Sequence, residues 1–221
     1  MKVLILGATG SAGGSVLRVC LAAPHVTEVR AIVRRPLGLA HPGLREVQHD
    51  NYQDFTAVAD AFAGLDACFY CLGKSVRQTS GEAEYRTITY DYAMAAARRF
   101  REQNAAAPFH FISGAGAARD SRFMWARVKA EAERDLLARF DAVCYRPASI
   151  DGVPSASEPP LYKAFRPVAR VLLKPFRSLY VSGEDIGLAM LQATADAVRS
   201  RIIENPEIRD LADRGRDTYL T

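Results

Sequence analysis

The sequence predicts an α/β fold, a doubly wound parallel sheet formed by one domain that spans residues 1–221. Three observations support this prediction. Short, continuous apolar runs are typical of strands that are buried on both faces. These runs alternate with segments of helical periodicity. The first run, from Val3 to Leu6, ends in a glycine turn that leads into a helix pattern.

The glycine turn is the motif on which the functional prediction depends. Gly7 permits the tight turn, Gly10 leaves room for a pyrophosphate, and Gly13 lets the helix pack close to the strand. The free N–H groups and partial positive charge of the helix N-terminus favour an anion there. A turn with a structural role alone is the alternative. The cofactor contacts predicted in this stretch are Gly7, Thr9, Gly10, Ser11, Ala12 and Gly13.

The next elements follow in a regular order. The first helix ends at Pro24, because proline cannot continue a helix. Five further strands are predicted over residues 29–33, 44–47, 67–72, 108–113 and 142–145. Helices are predicted between them over residues 54–62, 82–103 and 121–140.

The last part of the chain is predicted to be a small C-terminal cover on the substrate side. Residues 151–160 are rich in Ser, Pro and Gly, and residues 161–173 form a basic amphipathic pattern. A capping box from Ser182 to Asp185 opens another helix, and residues 202–211 predict a last strand and a short helix. Residues 150–181 are the expected lid.

Residues at the ends of the second, third and fourth strands indicate the cofactor. At the end of the second strand a dinucleotide fold places an acid against a ribose 2′-hydroxyl or an arginine against a 2′-phosphate. Arg34 and Arg35 therefore favour NADP(H) over NAD, the alternative being a solvated arginine pair. Asp50 is a candidate adenine contact. Leu72 and Gly73 lie where the crevice is expected to open.

Several motifs, taken together, resemble a known family. They are the Gly-Ala-Thr-Gly-x-x-Gly turn, Arg34-Arg35, Cys-Leu-Gly at 71–73, Ser-x-x-Gly-Ala at 113–117, Val-Lys-x-Glu at 128–131, Arg146-Pro147 and Ile-Ile-Glu-Asn at 202–205. In this order they resemble the atypical, NmrA-like short-chain dehydrogenases, and most closely the Tat-interactive-protein oxidoreductase-like group. The resemblance implies a Rossmann-type fold and a cofactor contact at Pro147.

The resemblance also implies a Ser, Tyr, Lys site, from which this chain departs. In such a site tyrosine donates the proton, and lysine holds the ribose and lowers the tyrosine pKa. Lys129 matches the lysine, and Ser113 or its neighbour Gly114 matches the serine. The residue in the tyrosine position is Trp125, whose indole cannot act as an acid or base. The alternatives are a surface Lys129–Glu133 pair and a tryptophan that only packs in the core.

Two functions fit these residues. The first is an NADP-dependent oxidoreductase whose small acceptor, a flavin, quinone or carbonyl, is reduced without a phenol at position 125. The second is a non-catalytic NADP(H) sensor or scaffold that regulates a protein partner. The sequence alone does not choose between them.

Composition narrows the remaining functional classes. A net charge of +4, spread along the chain, does not indicate nucleic-acid binding. No apolar run approaches the roughly 20 residues of a membrane span, and we expect a cytoplasmic protein without a leader. The four histidines and four cysteines show no metal-ligand spacing. Cys68 and Cys71 lie along a predicted strand on opposite faces, so we expect them to be unreactive.

Overall fold

A parallel sheet of seven strands forms the centre of the protein, whose computed structural model describes residues 1–153 and 178–219. The strands of the described residues are β1 (Lys2–Leu6), β2 (Glu28–Val33), β3 (Leu44–Gln48), β4 (Ala67–Tyr70), β5 (Phe109–Ile112), β6 (Val143–Arg146), β7 (Ser149–Asp151), β8 (Tyr180–Ser182) and β9 (Arg201–Glu204). The order in the central sheet is β3-β2-β1-β4-β5-β6-β9. The predicted doubly wound fold is therefore confirmed.

Helices cover both faces of this sheet. They are α1 (Ser11–Ala22), α2 (Glu82–Arg86), α3 (Tyr92–Gln103), α4 (Met124–Phe140), α5 (Gly183–Ala195) and α6 (Asn205–Tyr219). One face packs against α1, α5 and α6, and the other against α3, α4 and a short 3-10 segment. The sheet is therefore buried between two apolar layers, which explains its continuous apolar strands.

The central strand β1 determines where a ligand can bind. It pairs with β2 on one side and with β4 on the other, and Val3 to Leu6 are completely buried. The chain winds away from β1 in opposite directions through β2 and through β4. In sheets of this type a crevice opens outside the carboxyl ends of the strands at that switch point.

The helices that follow residue 182 hold α1 in place. Val16 and Val19 of α1 belong to the same buried cluster as Ile186 and Met190 of α5. The predicted capping box is confirmed, because the Asp185 N–H donates to Ser182 Oγ and the Ser182 N–H donates to Asp185 Oδ2, each at 3.0 Å. The cap fixes the start of α5 and thereby its position on α1.

Several helix predictions need correction. The predicted helix 82–103 is not one regular helix, because a π turn from Thr87 to Asp91 separates α2 from α3. The predicted helix 54–62 is a 3-10 segment from Thr56 to Phe62, and the last, short helix is the longer α6. Apolar periodicity does not separate these helical types, since their side-chain repeats are similar.

The predicted C-terminal cover is described only at its two ends. There, β7 and β8 pair in parallel as a small second sheet, which the sequence analysis did not predict. Strands of three residues are too short to show a period. The amphipathic stretch 161–173 and most of the expected lid, 150–181, lie outside the described residues. The lid and the single-domain organisation stay predictions.

Candidate cofactor-binding site

A cleft at the carboxyl ends of β1, β2 and β4 consists of two adjoining cavities. The first, of about 600 Å³, is lined by Arg34 and Arg35 and is called the arginine cavity here. The second, of about 370 Å³, is lined by Lys129 and is called the lysine cavity. Their shared walls are Gly10, Cys71, Leu72, Gly73 and Lys74. The cleft lies where the sheet topology places the crevice.

The predicted glycine turn forms the floor of this cleft. Gly7 has φ +90°, and a Cβ on it would lie 2.7 Å from the Cys71 carbonyl carbon. A Cβ on Gly13 would lie 2.2 Å from the Gly7 carbonyl oxygen, so no side chain fits at either position. Gly13 is buried beneath the cleft, where its role is the close packing of α1. Thr9 lines the arginine cavity, and Ser11 and Ala12 line the lysine cavity.

The start of α1 lies at the junction of the two cavities. Gly10 lines both cavities and precedes Ser11, the first helical residue. The first N–H groups of a helix have no acceptor within the helix and carry partial positive charge. A pyrophosphate at Gly10 would therefore meet N–H donors without an intervening side chain.

The arginine cavity contains the other residues predicted for the adenosine part of a cofactor. Arg34 and Arg35 are exposed on the segment after β2, and Asp50 is exposed after β3. Within the described part of the chain, neither guanidinium forms an ion pair. Both positive charges are therefore available to a phosphate, for which a guanidinium is a planar, bidentate donor.

Lys129 is held at the other end of the cleft. Its ammonium donates to the Ser113 carbonyl oxygen. Burial lowers the pKa of Lys129 to about 8, while the nearby negative charge of Glu133 acts in the opposite direction. The alternative of a surface Lys129–Glu133 pair is wrong, because the buried Glu133 carboxylate accepts from Arg146 Nε and Nη2 at 2.9 and 2.7 Å.

Trp125 lies beside Lys129 on the same face of α4. A Cβ at position 114 would lie 3.6 Å from Trp125 Cζ3 and 3.4 Å from Lys129 Nζ. The half-buried indole therefore covers the loop that begins at Gly114. Trp125 is not among the described residues that line either cavity. The indole thus supports this loop, while Lys129 reaches the cavity.

Ser113 and Pro147 also lie behind the cavity walls. The Ser113 hydroxyl is buried, without a hydrogen-bond partner among the described residues, so this serine contributes to the site through its carbonyl oxygen. Pro147 is buried, and its carbonyl oxygen accepts from the Ala115 N–H at 2.9 Å. Neither Ser113 nor Pro147 is among the described residues that line the two cavities. Both fix the loop that follows β5.

A group of cavity residues on the segment from α2 to α3 was not predicted from the sequence. Glu84, Thr87, Ile88 and Tyr92 line the arginine cavity, and Tyr85 and Thr89 line the lysine cavity. Tyr85 lies within the predicted helix 82–103 and is buried, but its side chain also borders the lysine cavity. The π turn that positions these residues could not be predicted from periodicity.

A second missed group comes from the segment after β6. Ile150 and Gly152 line the lysine cavity. The Val153 N–H donates to the Ser11 carbonyl oxygen at 3.1 Å and to Ser15 Oγ at 3.0 Å, which attaches this segment to the first turn of α1. The contact is between residues about 140 positions apart, so only the tertiary structure shows it.

The two cysteines of the Cys-x-x-Cys sequence are free thiols in different surroundings. Cys68 packs in the cluster on the α3 and α4 side of the sheet, and Cys71 packs on the α1 side. Burial raises the thiol pKa of both residues, which disfavours the reactive thiolate. Their low reactivity stays a prediction. Among the described residues, no group of three or more His, Cys, Asp or Glu could hold a metal ion.

A comparison with known proteins identifies the family. Residues 7–142 match a family model described as NAD(P)H-binding. The chain belongs to this NAD(P)H-binding family. The match includes the glycine turn, both arginines and Lys129, so it covers the residues that form most of the cleft.

Relatives of this NAD(P)H-binding protein agree with the predicted resemblance. The mitochondrial protein FMP52 of Eremothecium gossypii is 26% identical over 224 residues, which are 96% of this chain and 97% of the relative. Protein HTATIP2 of Rattus norvegicus is 29% identical over 134 residues, 60% of this chain and 54% of the relative. The predicted membership of the atypical short-chain dehydrogenase group is confirmed.

A solved structure supports the fold. An oxidoreductase of the short-chain dehydrogenase/reductase family from Burkholderia thailandensis superposes with a TM-score of 0.68 at 18% identity. The superposition covers 92% of this chain and 90% of that protein. This likeness confirms the Rossmann-type fold alone.

No helix in the described ranges is long and apolar enough to cross a membrane. The name of the Eremothecium relative includes the word mitochondrial, so the cytoplasmic location of this chain stays a prediction.

Proposed function

We propose that this protein is an NADPH-dependent reductase of a small acceptor, a flavin, a quinone or a carbonyl compound. The observation that carries the proposal is one cleft with a half-buried lysine at one end and two arginines at the other, which form no ion pair with any described residue. A bound, reduced nicotinamide supplies a hydride to the acceptor. The chain's own residues bind the cofactor and shape the space beside it.

The residues of the cleft fit this cofactor. The glycine turn leaves an open approach to the first turn of α1, which suits the pyrophosphate. Arg34 and Arg35 would bind the 2′-phosphate of NADPH, and Asp50 would contact the adenine side. Lys129 would hold the ribose next to the nicotinamide. In the fold these contacts follow the carboxyl ends of β3, β2 and β1, and Lys129 adds to them from α4, where it meets Ser113 after β5.

The main alternative is an NADP(H) sensor or scaffold that regulates a protein partner. This alternative is favoured by the residues at the family's tyrosine and serine positions, because neither can donate a proton into the cavity. Trp125 has no ionisable proton, and the Ser113 hydroxyl is buried behind the cavity wall. Flavins and quinones can take a proton from solvent after hydride transfer, so these acceptors remain compatible with reduction.

Binding and turnover measured on the same preparation separate the two functions. Calorimetry with NADPH and NADH first establishes binding. NADPH consumption is then followed with a flavin, a small quinone and a set of aliphatic and aromatic aldehydes and ketones. Turnover of any acceptor that is lost in Lys129→Ala supports the reductase. Binding of NADPH without turnover of any acceptor supports the sensor.

A further inference from the structure

Tyr85 is the phenol that the fold brings to the lysine cavity. It lies in α2, borders the cavity that Lys129 also lines, and has only 3% of its surface exposed. Trp125, which occupies the sequence position of the missing tyrosine, does not border that cavity. The cavity therefore has a phenol and a lysine, but the phenol comes from a different helix.

The helix that carries Tyr85 is fixed relative to the helix that carries Lys129. Arg86 makes a double contact with Glu131 of α4, with Nη1–Oε2 and Nη2–Oε1 distances of 2.5 and 3.2 Å. In the π turn, the Tyr90 hydroxyl donates to Asp135 Oδ2 at 2.5 Å. Two polar contacts on adjacent turns thus keep the segment against α4. A side chain of α2 can then face the cavity with a defined position.

The surroundings of Tyr85 suit a neutral hydroxyl donor. Burial raises the pKa of its phenol, and the Thr89 hydroxyl, which hydrogen-bonds to it, acts in the opposite direction. A phenol with a raised pKa stays protonated at neutral pH, so its O–H can donate to an oxygen in the cavity. The wide π turn places Thr89 on the same cavity as Tyr85.

We propose that Tyr85 is a catalytic residue that binds the acceptor oxygen and donates the proton in carbonyl reduction. The inference rests on the proposed reductase function and assigns small aldehydes and ketones as its substrate class. When the carbonyl carbon receives the hydride from NADPH, the two π electrons of C=O move to oxygen. The Tyr85 O–H bond breaks as its proton bonds to that oxygen. The products are the alcohol and NADP⁺, and the phenolate regains a proton from water.

The test compares Tyr85→Phe with Tyr219→Phe. Both changes remove the hydroxyl of a buried phenol, but Tyr219 lies in α6, donates to the Leu191 carbonyl oxygen and is not among the described residues that line either cavity. We expect Tyr85→Phe to lower kcat for a carbonyl substrate by about 100-fold or more, the usual effect of losing a general acid. Tyr219→Phe should change kcat by no more than about threefold. NADPH affinity, measured by calorimetry, should be nearly equal in both variants.

A second measurement does not depend on activity. In protein with 13C-labelled tyrosine ring carbons, the NMR resonance that Tyr85→Phe removes is that of Tyr85. This resonance should shift when saturating NADP⁺ is added together with an alcohol product, whereas that of Tyr219, which Tyr219→Phe identifies, should shift less. A Tyr85 resonance that does not move, while calorimetry shows binding of both ligands, overturns the assignment.

The outcomes separate this inference from the proposed function. Carbonyl turnover by the parent protein that survives Tyr85→Phe overturns the role of Tyr85 and leaves the reductase intact. Absence of all turnover by NADPH-binding parent protein overturns the reductase and, with it, the proton-donating role. Loss of carbonyl turnover in Tyr85→Phe, with retained NADPH affinity and a resonance that shifts, supports the assignment.

Discussion

The arginine cavity and the lysine cavity adjoin each other but differ in how closely they follow the expected pattern. In the arginine cavity the glycine turn, both arginines and Asp50 lie where a dinucleotide fold uses them. In the lysine cavity Lys129 is in place, but the matching serine and tyrosine positions supply no proton donor. Cofactor binding and proton donation can therefore be separated in this fold, because they depend on residues in different cavities.

The difference has a physical origin. Cofactor binding relies on backbone N–H groups, space at glycines and exposed positive charge, and several such groups contribute together. Proton transfer relies on one hydroxyl at one position, so a single substitution removes it. A hydroxyl from another element, such as Tyr85, can then take over only if the tertiary structure brings it to the same cavity.

The largest effect is expected from Gly10→Val, which tests whether both cavities depend on the same turn. A Cβ at position 10 would lie 3.3 Å from the Gly7 carbonyl oxygen, and because Gly10 lines both cavities, a branched side chain there would occupy space in the cleft. Charged hydrogen bonds are worth about 1.5–3 kcal/mol each, so NADPH should bind at least about 100-fold more weakly by calorimetry. Gly43→Val, before β3, is the control. Unchanged binding would mean that the turn has only a structural role.

The second-largest effect is expected on the preference for NADPH over NADH, which depends on the arginine cavity alone. NADPH should bind at least about tenfold more tightly than NADH, since one charged phosphate contact contributes about 1.5 kcal/mol or more. Arg34→Ala should remove most of this difference and leave NADH affinity nearly unchanged. Arg45→Ala changes an exposed arginine of the neighbouring strand β3 and should preserve the preference. Equal affinities in the parent protein would contradict the assignment of NADP(H).

A smaller effect is expected on the pH dependence of stability, which tests whether Lys129 is buried in the lysine cavity. Its pKa is about 8 in the folded protein, against 10.5 as the ordinary value, so between these values the unfolded chain binds more protons. The free energy of unfolding should therefore rise with pH from about 8 to 10.5. Urea titrations should show a smaller rise in Lys129→Met than in the parent, with Lys2→Met as the exposed control. Identical pH profiles for the parent and Lys129→Met would refute the burial of this ammonium.

The smallest effect is expected from Trp125→Tyr. This change restores a phenol one helical turn from Lys129, and carbonyl reduction should rise slightly, while reduction of flavins and quinones should change little. The gain should be small because Trp125 lies over the loop at Gly114 and does not border the cavity. Trp125→Phe is the matched control without a hydroxyl. Equal carbonyl reduction by the two variants would show that position 125 no longer faces the reacting atoms.

The sequence was sufficient for the central sheet and for those residues of the arginine cavity that directly follow its strands. Buried parallel strands are continuous apolar runs, and residues such as Arg34 and Asp50 follow them directly, so their positions at one edge of the sheet are determined by the topology. The glycine turn was predictable for the same reason. Cofactor contacts located immediately after strands need no knowledge of helix packing.

The lysine cavity could not be predicted in the same way. Tyr85 and Thr89 lie within a helical segment, where the apolar period predicts only that one side is buried. The π turn from Thr87 to Asp91 and the contact of Val153 with Ser11 depend on tertiary structure. Ser113 was predicted by resemblance as a hydroxyl, but the fold uses its carbonyl oxygen.

The packing of α5 on α1 has a consequence for how this protein can be divided. The family match ends at residue 142, whereas Val16 and Val19 of α1 share one buried cluster with Ile186 and Met190 of α5, and β9 completes the sheet beside β6. A fragment that stops at the end of the match would expose these side chains, each worth about 1.5–3 kcal/mol when buried. The helix whose first turn would bind the pyrophosphate would then lack its outer support. The region that matches the family model is therefore shorter than the region that this fold needs for its stability.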